Sequence, residues 1–334
     1  MGENSAISWT HHTHNEWIGC QRVSPGCGGA VGVGGCYAQV SAPVRIQRSK
    51  GVELWGPPAT AQRMRTSEDN RKKPLVWNRK AEKLGTRYRV FCSSLSDVFE
   101  DHPAVHEWRK ELFVTIEQTP HLDWQLLTKR PENLRRMLPQ AWLDEPLAHV
   151  WLGTTVEDQK RANERIPRLL ATPASVRFLS CEPLLEAVTL PHCTGYHDCP
   201  LGNADGHSEK PFGGIHWVIA GGESGPGARP FDLAWARSLR DQCASAGVPY
   251  FCKQLGSNAI DSDGFDVMND HGGVAYSRGN DVPGVEAMRL EALHKGRVLR
   301  PRNYSRFLHD RAGADIAEFP ADLRIQQFPE VSRG

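Results

Sequence analysis

Trp217-Val218-Ile219-Ala220 runs directly into Gly221-Gly222-Glu223-Ser224-Gly225, four apolar residues followed by a cluster of small and polar ones. The same order recurs elsewhere. Residues 89–92 lead into Ser93-Ser94-Leu95-Ser96-Asp97, and 124–127 into Thr128-Lys129-Arg130-Pro131. Residues 150–152 lead into Gly153-Thr154-Thr155-Val156-Glu157-Asp158, 176–179 into Ser180-Cys181-Glu182-Pro183, and 250–252 into Lys253-Gln254-Leu255-Gly256. Between these units, 159–170 and 233–246 carry apolar residues at helical spacing. Short apolar strands alternating with helices imply a parallel sheet covered on both faces. Six such units, with a first strand expected around residues 7–10, favour an α/β fold of the full or partial (β/α) TIM-type barrel kind. A doubly wound sheet stays open as an alternative, because strand order is not written in the sequence. In a barrel, polar residues just past the strand ends gather at one mouth, where the site lies.

The chain of 334 residues is long enough for one barrel with extensions or for two ordinary domains. We expect residues 1–256 to form the barrel and 257–334 a C-terminal extension packed on it. Residues 191–214 are expected to form an inserted loop. That loop holds His192, Cys193, His197, Cys199 and His207, zinc-type ligands without a standard spacing, and it reads as an ordinary exposed loop. The net charge of +1, with 24% charged residues, points to no partner. No apolar run is of membrane-spanning length, and residues 1–6 lack the basic and apolar regions of a signal peptide. The expectation is a cytoplasmic protein with no membrane partner. There its nine cysteines read as metal-binding, catalytic or buried rather than as disulfides.

Three of those cysteines, Cys20, Cys27 and Cys36, fall in a glycine-rich stretch near the start, with six and eight residues between them. Three thiolates on one loop can meet at one metal centre, and three ligands rather than four leave a coordination position open. A [4Fe–4S] cluster so held leaves one iron for an exogenous ligand; if that is S-adenosylmethionine, one electron from the cluster can cleave its sulfonium. Gly221-Gly222-Glu223 suits the approach of such a cofactor, with two glycines for close backbone contact and a carboxylate for an ammonium or hydroxyls. Two other readings stand beside this one. The cysteines can bind zinc, with His11, His12 or His14 as fourth ligand, or they can be plain buried side chains.

Charge is unevenly spread. Residues 42–90 carry thirteen Lys or Arg against four acids, with Trp55 and Trp77 among them and Arg71-Lys72-Lys73 as the densest run. Cations interleaved with aromatics suit a phosphate backbone and stacked bases, and equally a solvated surface helix.

Trp9-Thr10, Asn15, Gly19-Cys20, Val23-Ser24-Pro25-Gly26-Cys27 and Cys36-Tyr37-Ala38 together resemble the signature of a phage-borne family of unknown function. That family is radical-SAM-like and distantly similar to spore photoproduct lyase. The resemblance continues through Ser94-Leu95-Ser96-Asp97, Leu127-Thr128-Lys129-Arg130-Pro131, Trp151-Leu152-Gly153 and Val156-Glu157-Asp158-Gln159. It resumes in Arg177-Phe178-Leu179-Ser180-Cys181-Glu182-Pro183-Leu184, residues 221–230 and Lys253-Gln254. One departure stands out: the family separates its last two cysteines by two residues, and here eight intervene.

The resemblance implies a radical-SAM barrel with a [4Fe–4S] cluster on Cys20, Cys27 and Cys36, and S-adenosylmethionine as second cofactor. Ser94 and Asp97 would then contact the methionyl part, and Thr154, Thr155 and Glu157 the ribose or methionine. Gly221 and Gly222 would line the cofactor. Glu182, Glu223 and Lys253 would act in catalysis. Lys129 and Arg130, with the Arg71-Lys72-Lys73 run, would bind phosphate or nucleic acid. It further implies a nucleotide or nucleic-acid substrate, to be repaired or modified, and a reductant protein such as flavodoxin or ferredoxin, in a bacterium or phage-infected host. Competing functions are a zinc-stabilised nucleic-acid-binding protein without catalysis, and a metal-independent barrel lyase or hydrolase using Glu182, Glu223 and Lys253.

Overall fold

The computed structural model describes residues 3–28, 36–191, 211–268, 274–278 and 299–330. The segment holding His192, Cys193, His197, Cys199 and His207 lies outside them.

Seven strands form one parallel sheet: β1 (His12–His14), β2 (Tyr88–Cys92), β3 (Leu122–Thr128), β4 (Val150–Thr155), β5 (Val176–Cys181), β6 (Trp217–Gly221) and β7 (Tyr250–Gln254). Their order in space is their order in the chain. A doubly wound sheet reverses its order at a switch point, so this one-directional winding sets that alternative aside. The sheet curls into a half-barrel. The first strand is not at residues 7–10 but at His12–His14, paired with Val90 to Cys92. Ile7 and Trp9 instead pack among the apolar side chains inside the curl.

Alternation along each strand separates two cores, because successive side chains point to opposite faces. On the concave face Trp9, Phe91, Trp151, Phe178, Trp217, Ile219 and Phe251 form one aromatic-rich cluster. On the convex face Val90, Trp124, Leu152, Leu179, Val218 and Tyr250 join a larger core under the helices. Those helices are α2 (Glu68–Lys83), α3 (His106–Glu117), α4 (Gln159–Leu170) and α5 (Leu233–Ala246); α1 (Ala42–Ser49) packs apart from them, its Val44 in a separate cluster with Ile18, Leu54 and Trp55. The starts of α4 and α5 are local: the Asp158 and Asp232 carboxylates accept from Arg161 N at 2.7 Å and Ala234 N at 3.0 Å. α5 ends at Gly247, whose φ of 64° suits glycine.

Beyond β7, a second sheet is built from β8 (Ala259–Met268), β9 (Val274–Arg278) and β10 (Leu299–Asn303), with Phe231–Asp232 beside β8. The chain then returns along β7: Cys252 N donates to Ile325 O at 2.8 Å and Gln327 N to Tyr250 O at 3.0 Å. This covers part of an otherwise open edge. Phe328 closes the floor of the curl against Trp217 and Phe251, with the Arg89 guanidinium 3.9 Å from its ring centre.

Candidate functional site

Above the aromatic floor, at the C-terminal ends of the strands, opens a cavity of about 390 Å³. Period-two geometry builds it: two residues beyond Phe178 comes Ser180, two beyond Phe251 comes Lys253, and four beyond Trp151 comes Thr155, all on its wall. Between Trp151 and Thr155 sits Gly153, where an added Cβ would lie 2.4 Å from the Phe178 ring. The strand-end clusters add Ser93, Ser94, Ser96, Asp97, Thr128, Lys129, Arg130, Glu182, Gly222, Glu223 and Gln254. Trp9, Phe91 and Leu127 close it below, and Cys20, Cys27, Cys36 and Tyr37 lie along one side.

The cysteine loop is fastened to the rest of the fold at several points. Gly19 adopts φ +116° where a Cβ would stand 2.6 Å from Leu54 O, and the next residue, Cys20, donates its N–H to that carbonyl at 3.2 Å. Pro25–Cys27 form a single 3₁₀ turn. Cys36 N donates to Cys27 O at 3.3 Å, so the two ends of the lengthened stretch meet; residues 29–35 lie outside the described ones. Three further ties come from strand ends. Glu157 Oε1 accepts from Gly26 N at 3.2 Å while its Oε2 accepts from Arg165 at 2.7 Å. Arg229 pairs with Glu223 and donates to Pro25 O at 2.8 Å. Arg130 donates to Gln21 O at 2.7 Å and reaches Cys20 Sγ at 3.6 Å.

These ties show what several candidate residues do. Asp97 is filled by protein donors: Thr128 Oγ1 at 2.7 Å and Phe99 N at 2.9 Å on one oxygen, Lys129 N at 3.1 Å and Arg130 at 2.8 Å on the other. It organises the wall of the cavity. Burial disfavours its charge, yet Arg130 and the hydrogen bonds hold its carboxyl below the usual aspartate value. Arg130 is buried in turn, and Asp97, Cys20 and Glu100 outweigh its desolvation and keep its pKa above the ordinary one. It ties the cysteine loop to Asp97 and also stands on the cavity wall. Glu157 is wholly buried; despite desolvation, Lys129 and Arg165 hold it below the usual glutamate value.

Ser94, Thr155, Gly222, Glu182, Glu223, Lys129 and Lys253 all line the cavity. Glu182 and Lys253 form an ion pair inside it. Lys129 Nζ lies 3.3 Å from Thr155 Oγ1. Gly222 packs so closely that a Cβ would be 2.5 Å from Leu255 O. Thr154 and Gly221 are not on the lining; the Thr154 hydroxyl donates to Thr128 O at 2.9 Å, between strands. Arg71, Lys72 and Lys73 lie on α2, away from the cavity, with Arg71 near Glu16 at 3.5 Å and Lys72 paired to Glu68. Trp77, placed by the sequence among the cations as a stacking surface, is 2% exposed and stacks on His12. None of His11, His12 and His14 lines the cavity.

The three cysteines suit a cluster by donor chemistry. Burial raises the Cys20 and Cys36 thiols above the ordinary value, with Arg130 opposing at Cys20 and Lys129 at Cys36. A bound metal supplies the positive charge that makes such thiols into thiolates. Among the described residues no three His, Cys, Asp or Glu side chains converge as ligands of a single ion. A [4Fe–4S] body takes one thiolate per iron, so its ligands stand around it rather than at a point.

Tyr37, Gln254, Arg165 and Arg229 belong to the site but were assigned no role from sequence. The Tyr37 hydroxyl donates to Ser94 O at 2.7 Å and Gln254 Nε2 to Gly222 O at 2.6 Å. For Arg229 a signal existed, since it is the sole cation between residues 221 and 230. Arg165 carried none, because its partner is set by how α4 packs.

Over residues 4–307 the chain matches the family model described as Protein of unknown function (DUF5131), and it belongs to that family. No curated protein and no solved structure matches it. No helix among the described residues is long and apolar enough to cross a membrane.

Proposed function

We propose that this DUF5131 protein is a radical-SAM enzyme of the partial (β/α)-barrel kind, acting on a nucleotide or nucleic-acid base in the bacterial or phage-infected cytoplasm. Cys20, Cys27 and Cys36 would hold a [4Fe–4S] cluster, with S-adenosylmethionine beside it. The observation that carries this reading is the arrival of three thiols from one closed loop on the wall of one strand-end cavity. When bound, these groups supply one-electron cleavage of a sulfonium and thus hydrogen-atom abstraction from a substrate.

The chain supplies position, polarity and dryness. The Ser94 and Thr155 hydroxyls offer hydrogen bonds to cofactor ribose or amino-acid groups, and Gly222 lets a ligand approach the backbone closely. Glu182 offers a carboxylate to an ammonium, with Lys253 paired to it on the cavity wall. Lys129 and Lys253 suit a phosphate or an anionic base edge, while Trp9, Phe91 and Leu127 keep the floor apolar. Glu157, Arg130 and Arg229 hold the loop to the barrel, which fixes the thiols relative to these groups.

Protein purified without oxygen and reconstituted with iron and sulfide should carry about four irons per chain and absorb visibly. It should release 5′-deoxyadenosine from S-adenosylmethionine under reduction, and Cys20→Ala, Cys27→Ala or Cys36→Ala should abolish all three properties. Stoichiometric zinc, no chromophore and salt-dependent nucleic-acid binding would instead establish the non-catalytic alternative. Activity surviving all three substitutions would point to a metal-independent lyase or hydrolase built on Glu182, Glu223 and Lys253.

A further inference from the structure

The apolar run of β3 passes into Thr128-Lys129-Arg130-Pro131, and Pro131 opens a 3₁₀ turn, so Arg130 is the last residue before the chain changes direction. Its buried guanidinium is held by charged and polar partners. Nη1 donates to Asp97 Oδ2 at 2.8 Å and Nη2 to Gln21 O at 2.7 Å. Glu100 stands 3.7 Å from Nη2 and is itself gripped by both arms of Arg63, each at 2.7 Å. Two cations thus face two carboxylates, and the group is balanced in charge. One further contact has a different chemistry: Nη1 also donates to Cys20 Sγ, at 3.6 Å. A neutral thiol is a weak acceptor, so a buried cation gains little from facing one. A thiolate turns the same contact into a charge-assisted hydrogen bond.

From this geometry we infer that Arg130 is a positioning residue that sets the reduction potential of the iron–sulfur cluster, by donating a hydrogen bond to the sulfur of its ligand Cys20. The inference rests on the cluster reading above. An added electron makes the ligand sulfurs more negative, so a donor aimed at one of them stabilises the reduced form more than the oxidised form and raises the potential. Burial enlarges the effect, because little water screens the contact. The neighbouring residue acts in the same sense at the far end of the loop: burial raises the Cys36 thiol, and the Lys129 ammonium opposes that rise. Cys27 Sγ faces the neutral Ser24 hydroxyl at 3.9 Å. The electron comes from an external one-electron reductant; no bond is made or broken and no proton moves.

The test uses full-length protein purified without oxygen and reconstituted with iron and sulfide, with dithionite as reductant. A redox titration followed by electron paramagnetic resonance gives the midpoint potential, which a merely structural tie would leave unmoved. Arg130→Met should weaken the reduction equilibrium about tenfold, a fall of about 59 mV for one electron. Asp97→Asn/Arg130→Met restores the local charge balance and should recover only part of that fall, the remainder being the lost N–H···S bond. Wild-type protein carrying arginine with isotope-labelled guanidinium nitrogen should show coupling of that nitrogen to the reduced cluster. This last readout needs no variant to fold. An unchanged potential in Arg130→Met overturns the inference, and so does a wild-type cluster without arginine-nitrogen coupling. Full recovery in the double variant also overturns it, by assigning the whole shift to charge. Absence of iron from the wild type sinks the cluster reading and this inference together, and metal analysis tells that outcome apart from the others.

Discussion

Glu157→Gln keeps the shape of a buried side chain and removes its charge, and it separates an anchoring role from a ligand contact. In the native protein Glu157 accepts from Gly26 N at 3.2 Å and from Arg165 at 2.7 Å, at 0% exposure. Removing one member of a buried ion pair costs about 3–5 kcal/mol, because the partner is left buried with its charge. Arg165 keeps the Thr155 carbonyl at 2.9 Å, which places the cost at the lower end, about 3 kcal/mol. Urea unfolding at neutral pH should show a lower midpoint at unchanged slope, and amide exchange at Gly26 and Cys27 should quicken as the loop loses its tie. A second substitution, Arg165→Met, should recover part of the loss by removing the stranded cation. The pH dependence has a definite sign. Desolvation acts to raise the Glu157 pKa, but Lys129 and Arg165 bring it below the ordinary value. Its contribution is therefore present above the ordinary glutamate pKa and lost as pH falls through the lower folded one, so the gap between wild type and variant should close in acid. A variant within about 0.5 kcal/mol of wild type, with unchanged exchange in the loop, would refute the anchoring role and leave Glu157 free to contact a cofactor.

Three other outcomes test the frame around the site. Gly153→Ala drives a methyl to within 2.4 Å of the Phe178 ring and should destabilise by about 1–3 kcal/mol in thermal unfolding; Phe178→Leu in the same chain should restore part of it. The His12 pKa is lowered to about 4, by burial first and by neighbouring His11 second. Its neutral form thus contributes stability present above the ordinary histidine value of 6.5 and lost as pH falls toward 4. His12→Phe keeps the stacking on Trp77 and should flatten the stability profile in that window, as read by denaturation at stepped pH. Phe328→Ala removes the half-buried plug beneath Trp217 and Phe251 and should cost about 2 kcal/mol, with a change in tryptophan emission.

The strands and helices were legible because their signals are local. Apolar runs at 89–92, 124–127, 150–152, 176–179, 217–220 and 250–252 all became neighbouring parallel strands. The helices expected at 159–170 and 233–246 became α4 and α5 with those bounds, each started by an aspartate cap. The first strand was misplaced for a physical reason. Ile7 and Trp9 are apolar because they fill the floor of the curl, whereas His12 and His14 look polar and yet lie buried against Trp77 and Trp124. A histidine that stacks on an aromatic from another element carries no sign of it in its own neighbourhood.

The sequence by itself determined the alternation of strand and helix and the presence of three cysteines beside a row of polar strand ends, since both depend on residue type and spacing. Only the tertiary structure decided the division of labour among those polar residues. It turned Asp97, Arg130 and Glu157 inward to hold the cysteine loop. It left Lys129, Glu182 and Lys253 on the cavity wall and carried Arg71, Lys72 and Lys73 off to an outer helix. Polar groups withdrawn from water need hydrogen-bond partners, and here several stand far along the chain: Glu157 meets Gly26, Arg130 meets Cys20 and the half-buried Arg229 meets Pro25. Such pairings exist only once the sheet has curled and set the strand ends against the loop.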